Sequence, residues 1–162
     1  MGKVDSQIIE IIGRNRLVNE LLAAGFEVAQ PIRDRGVDLI AYLDIDDEIP
    51  QFTAIPIQIK ASRNSSFMID QKYEKFPNLV IAFVWNVISE NKQKQVTYAL
   101  THKESLAIAE AMGYVKTPSL NKGRYTTTQP SQKLLELIEP YRMDSMAWRR
   151  KIIQLSRAIL LE

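Results

Sequence analysis

Gln58 and Lys60 stand two residues apart in the stretch Ile55 to Ser62, IPIQIKAS. Side chains of an extended chain alternate between faces, so these two share one face and Ile57 and Ile59 the other. A glutamine and a lysine on one face of an otherwise apolar strand become useful if a carboxylate stands across from them. Asp38, in GVDLIAYLD, is the carboxylate that a hairpin would bring there. A turn centred near residue 48 sets Asp38 opposite Gln58 and Val37 opposite Ile59, and directly opposed side chains have Cβ atoms roughly 4.5–5.5 Å apart.

A carboxylate, further oxygen donors and an ammonium group at this spacing suit a phosphodiester. A hard cation such as Mg²⁺ takes one or two protein oxygens, keeps several waters and leaves positions for phosphate oxygens. Asp38 would be the anionic ligand, with the Gln58 amide oxygen and the Ile59 backbone carbonyl as neutral ones. Lys60 would be the general base or electrostatic partner of a metal-generated nucleophilic water. The same residues also read as a strand-end ion pair of Asp38 with Lys60, with Gln58 hydrogen-bonded beside it. Pro56 cannot donate to a ladder and marks a bulge or an edge, and a slip of one residue would turn Asp38 to the other face.

The hairpin needs a sheet and helices to hold it. Residues 6 to 24 read as a helix ending at Gly25, with Ile8, Ile11, Ile12, Val18 and Leu22 as its apolar stripe. FEVAQP is a short strand stopped by Pro31, GVDLIAYLD a second, and FTAIPIQIKA a third, with Asp44, Asp46, Asp47 and Glu48 as a solvated turn. NLVIAFVW fits a strand covered on both faces. QVTYALT is a further strand leading into a helix with a capping box, Thr101 and Glu104. Beyond Gly113, YVKTPSLNKGRYTTTQP reads as a long surface loop with one short strand. Ser131 caps a short helix broken before Pro140. A last helix from about Asp144 aligns Trp148, Ile152, Leu155 and Ile159, as core or as the contact of a homodimer. This order predicts an α/β fold, a central mixed sheet flanked by helices. One domain over 1–162 is expected, with a core about 6–113 and a C-terminal helical extension about 130–162.

Composition narrows the chemistry. With 162 residues, the chain is long enough to bury one core. No apolar run is long enough to span a bilayer, and MGKVDSQ lacks the layout of a signal peptide, so a cytoplasmic location without membrane contact is expected. The absence of cysteine excludes disulfides, thiolate metal sites and thiol nucleophiles. A single histidine, His102, cannot build a multi-histidine zinc site and argues against a Ser-His-Asp design. Carboxylates, amides, lysines and a hard metal ion remain. The net charge of +2 is small, but no acid lies between Glu110 and Glu136, where Lys116, Lys122, Arg124 and Lys133 do. The C-terminal helical segment adds Arg142, Arg149, Arg150, Lys151 and Arg157, so the C-terminal third is either a solvated basic face or a polyanion surface.

The pairing of LLAAGFEVAQPIRDRGVDLIAYLD with IPIQIKAS resembles the PD-(D/E)xK nuclease superfamily, the restriction-endonuclease-like fold that includes Holliday junction resolvases. It is most similar to small bacterial members with a G-V-D-L strand and Q-x-K in place of E-x-K. The resemblance covers roughly residues 8 to 103, including a short helical segment around Gln71 to Phe76. It implies a restriction-endonuclease-like mixed sheet, DNA as partner and Mg²⁺ or Mn²⁺ as cofactor. By the same resemblance Asp38 is the metal-binding aspartate, Gln58 the second motif position and Lys60 the catalytic lysine. Members commonly carry a glutamate on the first helix, and alignment on Gly25-Phe26 puts Arg14 there instead. Glu10, one turn earlier, is a further candidate ligand, or else the partner of Arg14 in a surface ion pair worth about 0.2–0.5 kcal/mol. Three functions stay open: a metal-dependent DNA endonuclease; a catalytically reduced relative binding nucleic acid or a protein, in mobile-element control or defence; and a non-catalytic dimeric interaction protein.

Arg33, Arg35, Arg63 and Lys72 are candidate phosphate contacts. Ser62, Asn64 and Ser65 could line the scissile phosphate or form a turn, and Tyr73 reads as packing or a backbone contact. Tyr125 could stack a base or serve its strand. His102, inside the capping box, reads as structural.

Overall fold

The apolar runs form a five-stranded sheet in the order β1-β2-β3-β5-β6. The computed structural model describes residues 4–33, 35–43, 51–159 and 161. The acidic stretch Asp44, Asp46, Asp47 and Glu48, expected as a solvated turn, lies outside the described residues. β1 (Glu27–Ala29), β2 (Leu39–Tyr42) and β3 (Ala54–Ala61) run antiparallel to one another in turn. β3 pairs in parallel with β5 (Val80–Trp85), and β5 antiparallel with β6 (Val96–Leu100). The expected mixed sheet flanked by helices is therefore the observed one.

The register between β2 and β3 is the one read from the sequence, with Leu39 opposite Ile57 and Ile40 opposite Pro56. Pro56 sits one residue before β3 begins to pair with β5, at Ile57. It thus occupies a stretch with a ladder on one side only, where a proline is tolerated.

β5 is buried along its whole length. Val80, Ala82 and Val84 enter one apolar cluster, and Ile81, Phe83 and Trp85 the other. The first face of the sheet is covered by α1 (Ser6–Ala23) and α5 (Ser145–Ile159). The second is covered by α2 (His102–Met112), α4 (Gln132–Ile138) and a ribbon in which β4 (Phe67–Asp70) pairs with β7 (Arg124–Thr127). Among the described residues no helix is long and apolar enough to cross a membrane.

α1 starts where the Asp5 carboxylate accepts the Gln7 N–H, and it corrects the apolar stripe expected from the sequence. Its buried positions are Ile9, Gly13, Leu17 and Leu21. Ile8, Ile11, Ile12 and Leu22 are exposed, and Val18 is only partly buried. Apolar residues stand nearly all round this helix, so periodicity does not choose its packing face. Gly13 does. A Cβ there would lie 2.5 Å from the Ala61 Cβ, well inside the contact distance of about 3.5–4.0 Å. Only glycine lets α1 lie this close to the end of β3.

α5 places Trp148 and Ile152 wholly in the same core, with Leu155 and Ile159 partly buried against it. Trp148 is interior to the chain, as the core reading of that stripe expects. The region after Gly113 is more ordered than the expected loop. α3 (Pro118–Asn121) starts on a Thr117 cap, and β7 joins β4, whose four residues are too few to show a period. The capping box at Thr101 and Glu104 closes in both directions, and Ser131 caps α4.

Candidate active site

β2 begins at Leu39, opposite Ile57, while β3 continues beside β5 to Ala61. The last four residues of β3 therefore have a neighbouring strand on one side and an open flank on the other. Asp38, the residue before β2, turns into that flank. Its N–H donates to the Ile57 carbonyl at 2.9 Å. Its Oδ2 accepts the Ile59 N–H at 2.6 Å and the Gln58 Nε2 at 2.5 Å. The same Nε2 lies 3.3 Å from the Ile59 carbonyl oxygen. Asp38 and Gln58 are both buried, and hydrogen bonds to a charged acceptor are the stronger kind.

The Gln58 Oε1 turns the other way, toward Gly36, where a Cβ would come within 3.9 Å of it. The two ends of an amide are told apart by their hydrogen bonds, and here two acceptors select the nitrogen.

This cluster forms one wall of a cleft of about 230 Å³, lined by Glu10, Arg14, Asp38, Gln58, Ile59, Lys60 and Ala61. Glu10 and Arg14 come from α1 and flank Gly13, so the close approach of Gly13 to Ala61 is what delivers them. The surface ion pair expected between them is not formed, and Arg14 Nε is buried without a hydrogen-bond partner. Nor do Asp38 and Lys60 pair with each other, so the strand-end ion pair gives way to a shared cleft wall. Glu20 belongs elsewhere: it binds Arg16 at 3.3 Å and the Thr97 hydroxyl at 2.8 Å. Arg16 in turn donates to the Trp85 and Val96 carbonyls at 3.0 and 2.7 Å.

Among the described residues no three of His, Cys, Asp and Glu gather to hold a metal. What gathers is a carboxylate, a backbone carbonyl and a side-chain amide, with Glu10 on the facing helix. These are oxygen donors of the kind a hard cation accepts. The Gln58 NH₂ lies between the Asp38 and Ile59 oxygens, and turning the amide over would present Oε1 there as a third oxygen donor. The donor set fits a small, water-rich cation, while Arg14 and Lys60 on the same walls oppose it electrostatically.

The other expected contacts disperse. Arg63 borders a cleft that shares Glu10 and Ala61 with the first. Arg35 and Lys72 line a different cleft, of about 440 Å³, together with Lys75 and Phe76. Arg33 is exposed and lines neither. The Ser62 hydroxyl donates to the Asn64 carbonyl, which supports the turn reading. Tyr73 is buried, and the Tyr125 ring stacks on Tyr114 with centroids 4.0 Å apart. The His102 ring is buried, and burial lowers its pKa while Glu74 and Asp70 pull weakly the other way.

Part of the basic C-terminal third is tied into the fold, although Arg124 and Lys133 stay exposed. Arg124 pairs with Asp70 at 3.1 Å, Lys133 donates to the Ala111 carbonyl at 2.8 Å, and Lys151 pairs with Glu104 at 2.5 Å. Lys75 and Phe76 were the cleft residues hardest to anticipate. Their one signal is KYEKF, Lys72 to Phe76, where cations alternate with aromatics.

No protein-family model and no curated protein sequence matches the chain. Among solved structures the chain is similar to a bacterial homing endonuclease, I-Ssp6803I, with a TM-score of 0.50 and 12% identity over the whole of both chains. At that identity the likeness shows the fold alone, a nuclease-like one.

Proposed function

We propose that this chain is a metal-dependent DNA endonuclease of the PD-(D/E)xK kind, hydrolysing phosphodiester bonds with Mg²⁺ or Mn²⁺. The observation that carries the reading is the convergence of Asp38, Gln58, the Ile59 carbonyl, Lys60 and Glu10 on one cleft of a nuclease-like fold. DNA as substrate draws support from the homing endonuclease with which the chain shares that fold.

In this reading Asp38 and the Ile59 carbonyl would hold the cation, with the Gln58 amide oxygen and Glu10 from α1 as further donors. When bound, such an ion would supply an acidified water and positive charge beside the phosphoryl oxygens. Lys60, half-buried and without an ion-pair partner among the described residues, orients that water or takes its proton. Arg14 faces the non-bridging phosphate oxygens, because a guanidinium binds phosphate well.

Supercoiled, linear and branched DNA incubated with Mg²⁺ or Mn²⁺ should be cut by the wild type. Lys60→Ala and Asp38→Ala should lose cleavage by about 10²-fold or more, Lys60→Ala with an unchanged unfolding midpoint. If no DNA form is cut with either ion, the proposal fails. Arg14 in the cleft specifically favours a second reading, a catalytically reduced protein that binds DNA without cutting it. Steeply salt-dependent binding without cleavage would select that reading.

A further inference from the structure

We infer that the second cleft is a pocket for one nucleotide turned out of the DNA stack beside the cut site, an inference that rests on the nuclease reading above. The cleft, about 440 Å³, has apolar walls from Val37, Pro56, Phe76 and Leu79. That volume lies in the range of small-ligand sites. Its rim carries three cations, Arg35, Lys72 and Lys75. Lys72 lies 3.6 Å from Asp70, but that carboxylate is shared with Arg124 at 3.1 Å, so positive charge remains in excess around it. Apolar walls under a cationic rim match a flat base joined to a phosphate.

One feature separates this cleft from a packing gap. The Phe76 ring is half exposed, with the Lys75 ammonium 5.2 Å from its centroid, as in sites where bases stack on aromatics with cations alongside. Tyr73, 3% exposed, backs the cleft, with the Lys72 ammonium 4.8 Å from its ring centroid.

The cleft also adjoins the candidate active site. Gly36 lines it, lies against the Gln58 amide and stands two residues before Asp38. Pro56 and Gln58 point to the same face of β3 from neighbouring positions, roughly 6.6 Å apart along the strand. A nucleotide seated on Pro56 and Phe76 would therefore hold its phosphate toward Asp38 and Lys60. Turning a base out is easiest where it is unpaired, so the substrate class is DNA with an unpaired nucleotide at the cut.

The test measures binding of the full chain, without divalent metal, to two fluorescein-labelled duplexes, one fully paired and one with a single-nucleotide bulge. Bulged DNA should bind about tenfold more tightly, and Phe76→Ala should erase the difference. Lys75→Met, at an exposed position on the rim, should leave the unfolding midpoint unchanged while weakening bulge binding several-fold. Equal affinity for both duplexes, or a preference untouched by both variants, overturns the pocket. Saturable binding of 2-aminopurine deoxynucleoside monophosphate with no bulge preference overturns DNA as its source. Cleavage of both duplexes alike, unchanged by Phe76→Ala, also overturns the pocket and leaves the nuclease reading standing. A Phe76-dependent bulge preference in a protein that never cuts supports the pocket and removes the nuclease reading.

Discussion

Replacing Gly13 with alanine tests how α1 completes the site. The new Cβ would start 2.5 Å from the Ala61 Cβ. Restoring carbon contact at about 3.5 Å needs a movement of about 1 Å, and neither methyl group has a rotamer that escapes. Overpacking of this kind costs about 1–3 kcal/mol, while exchanging glycine for alanine inside a helix returns about 1 kcal/mol. The net loss of stability should be about 0–2 kcal/mol, read by urea unfolding. The functional loss should be larger in proportion. Glu10 and Arg14 flank Gly13 and ride on α1, so they withdraw from Asp38 and Lys60, and a displacement of about 1 Å can cost about 10²-fold in rate. Single-turnover cleavage measures that loss. Adding Ala61→Gly removes the opposing methyl and should restore most of the rate in the double variant. The reasoning is refuted if Gly13→Ala matches wild type in both stability and rate, or if Ala61→Gly rescues nothing.

Two further outcomes follow from buried charge. The His102 pKa is lowered by burial, so between its folded and unfolded values the unfolded chain binds more protons. Stability is therefore complete above about pH 6.5 and falls as pH drops toward the folded value, by at most about 1.4 kcal/mol per pH unit. His102→Asn should flatten the melting temperature between pH 7 and 5.5, and an unchanged slope would show that other groups set it. Lys151 is 9% exposed and pairs with Glu104, which also accepts the Thr101 N–H at 2.7 Å. Glu104→Ala should cost about 3 kcal/mol because it strands a buried ammonium and opens the capping box. Lys151→Met should cost clearly less, since Glu104 is the more exposed partner and keeps its bond to Thr101. Chemical denaturation that reverses this order would contradict the assignment.

What the sequence made legible is what short-range rules govern. Strand alternation and a symmetric turn were enough to put Asp38 beside Gln58, because one residue of slip would have driven Leu39, Ala41 and Ile57 out of the core. The capping box and the burial of His102 and Trp148 were local readings of the same sort. α1 resisted because isoleucines stand on both sides of it, so the deciding residue was Gly13. Its meaning lies in Ala61, forty-eight positions away in the chain and 2.5 Å from its absent Cβ. β4 was hidden for a related reason, since it is four residues long and exists by pairing with β7, the one short strand expected beyond Gly113.

The same argument explains why Arg14 was misjudged. By local rules Glu10 and Arg14 form an i, i+4 ion pair, which in water is worth about 0.2–0.5 kcal/mol. A contribution that small is readily outweighed by tertiary placement. Once Gly13 has docked on Ala61, the flanking residues are carried toward the open end of β3, where the free edge beyond Leu39 already collects Asp38, Gln58 and Lys60. There an arginine with a buried, unpaired Nε is worth more to an incoming phosphate than to Glu10. Arginine at position 14 is thus compatible with a working cleft. A cleft with one fewer carboxylate and one more guanidinium would hold its cation less tightly and its phosphate more tightly. In that arrangement DNA binding should precede and strengthen metal binding, so the Mg²⁺ concentration needed for half-maximal cleavage should fall as DNA concentration rises, and Arg14→Gln should abolish that dependence. A metal requirement that ignores DNA concentration in the wild type would show that Arg14 plays no such part.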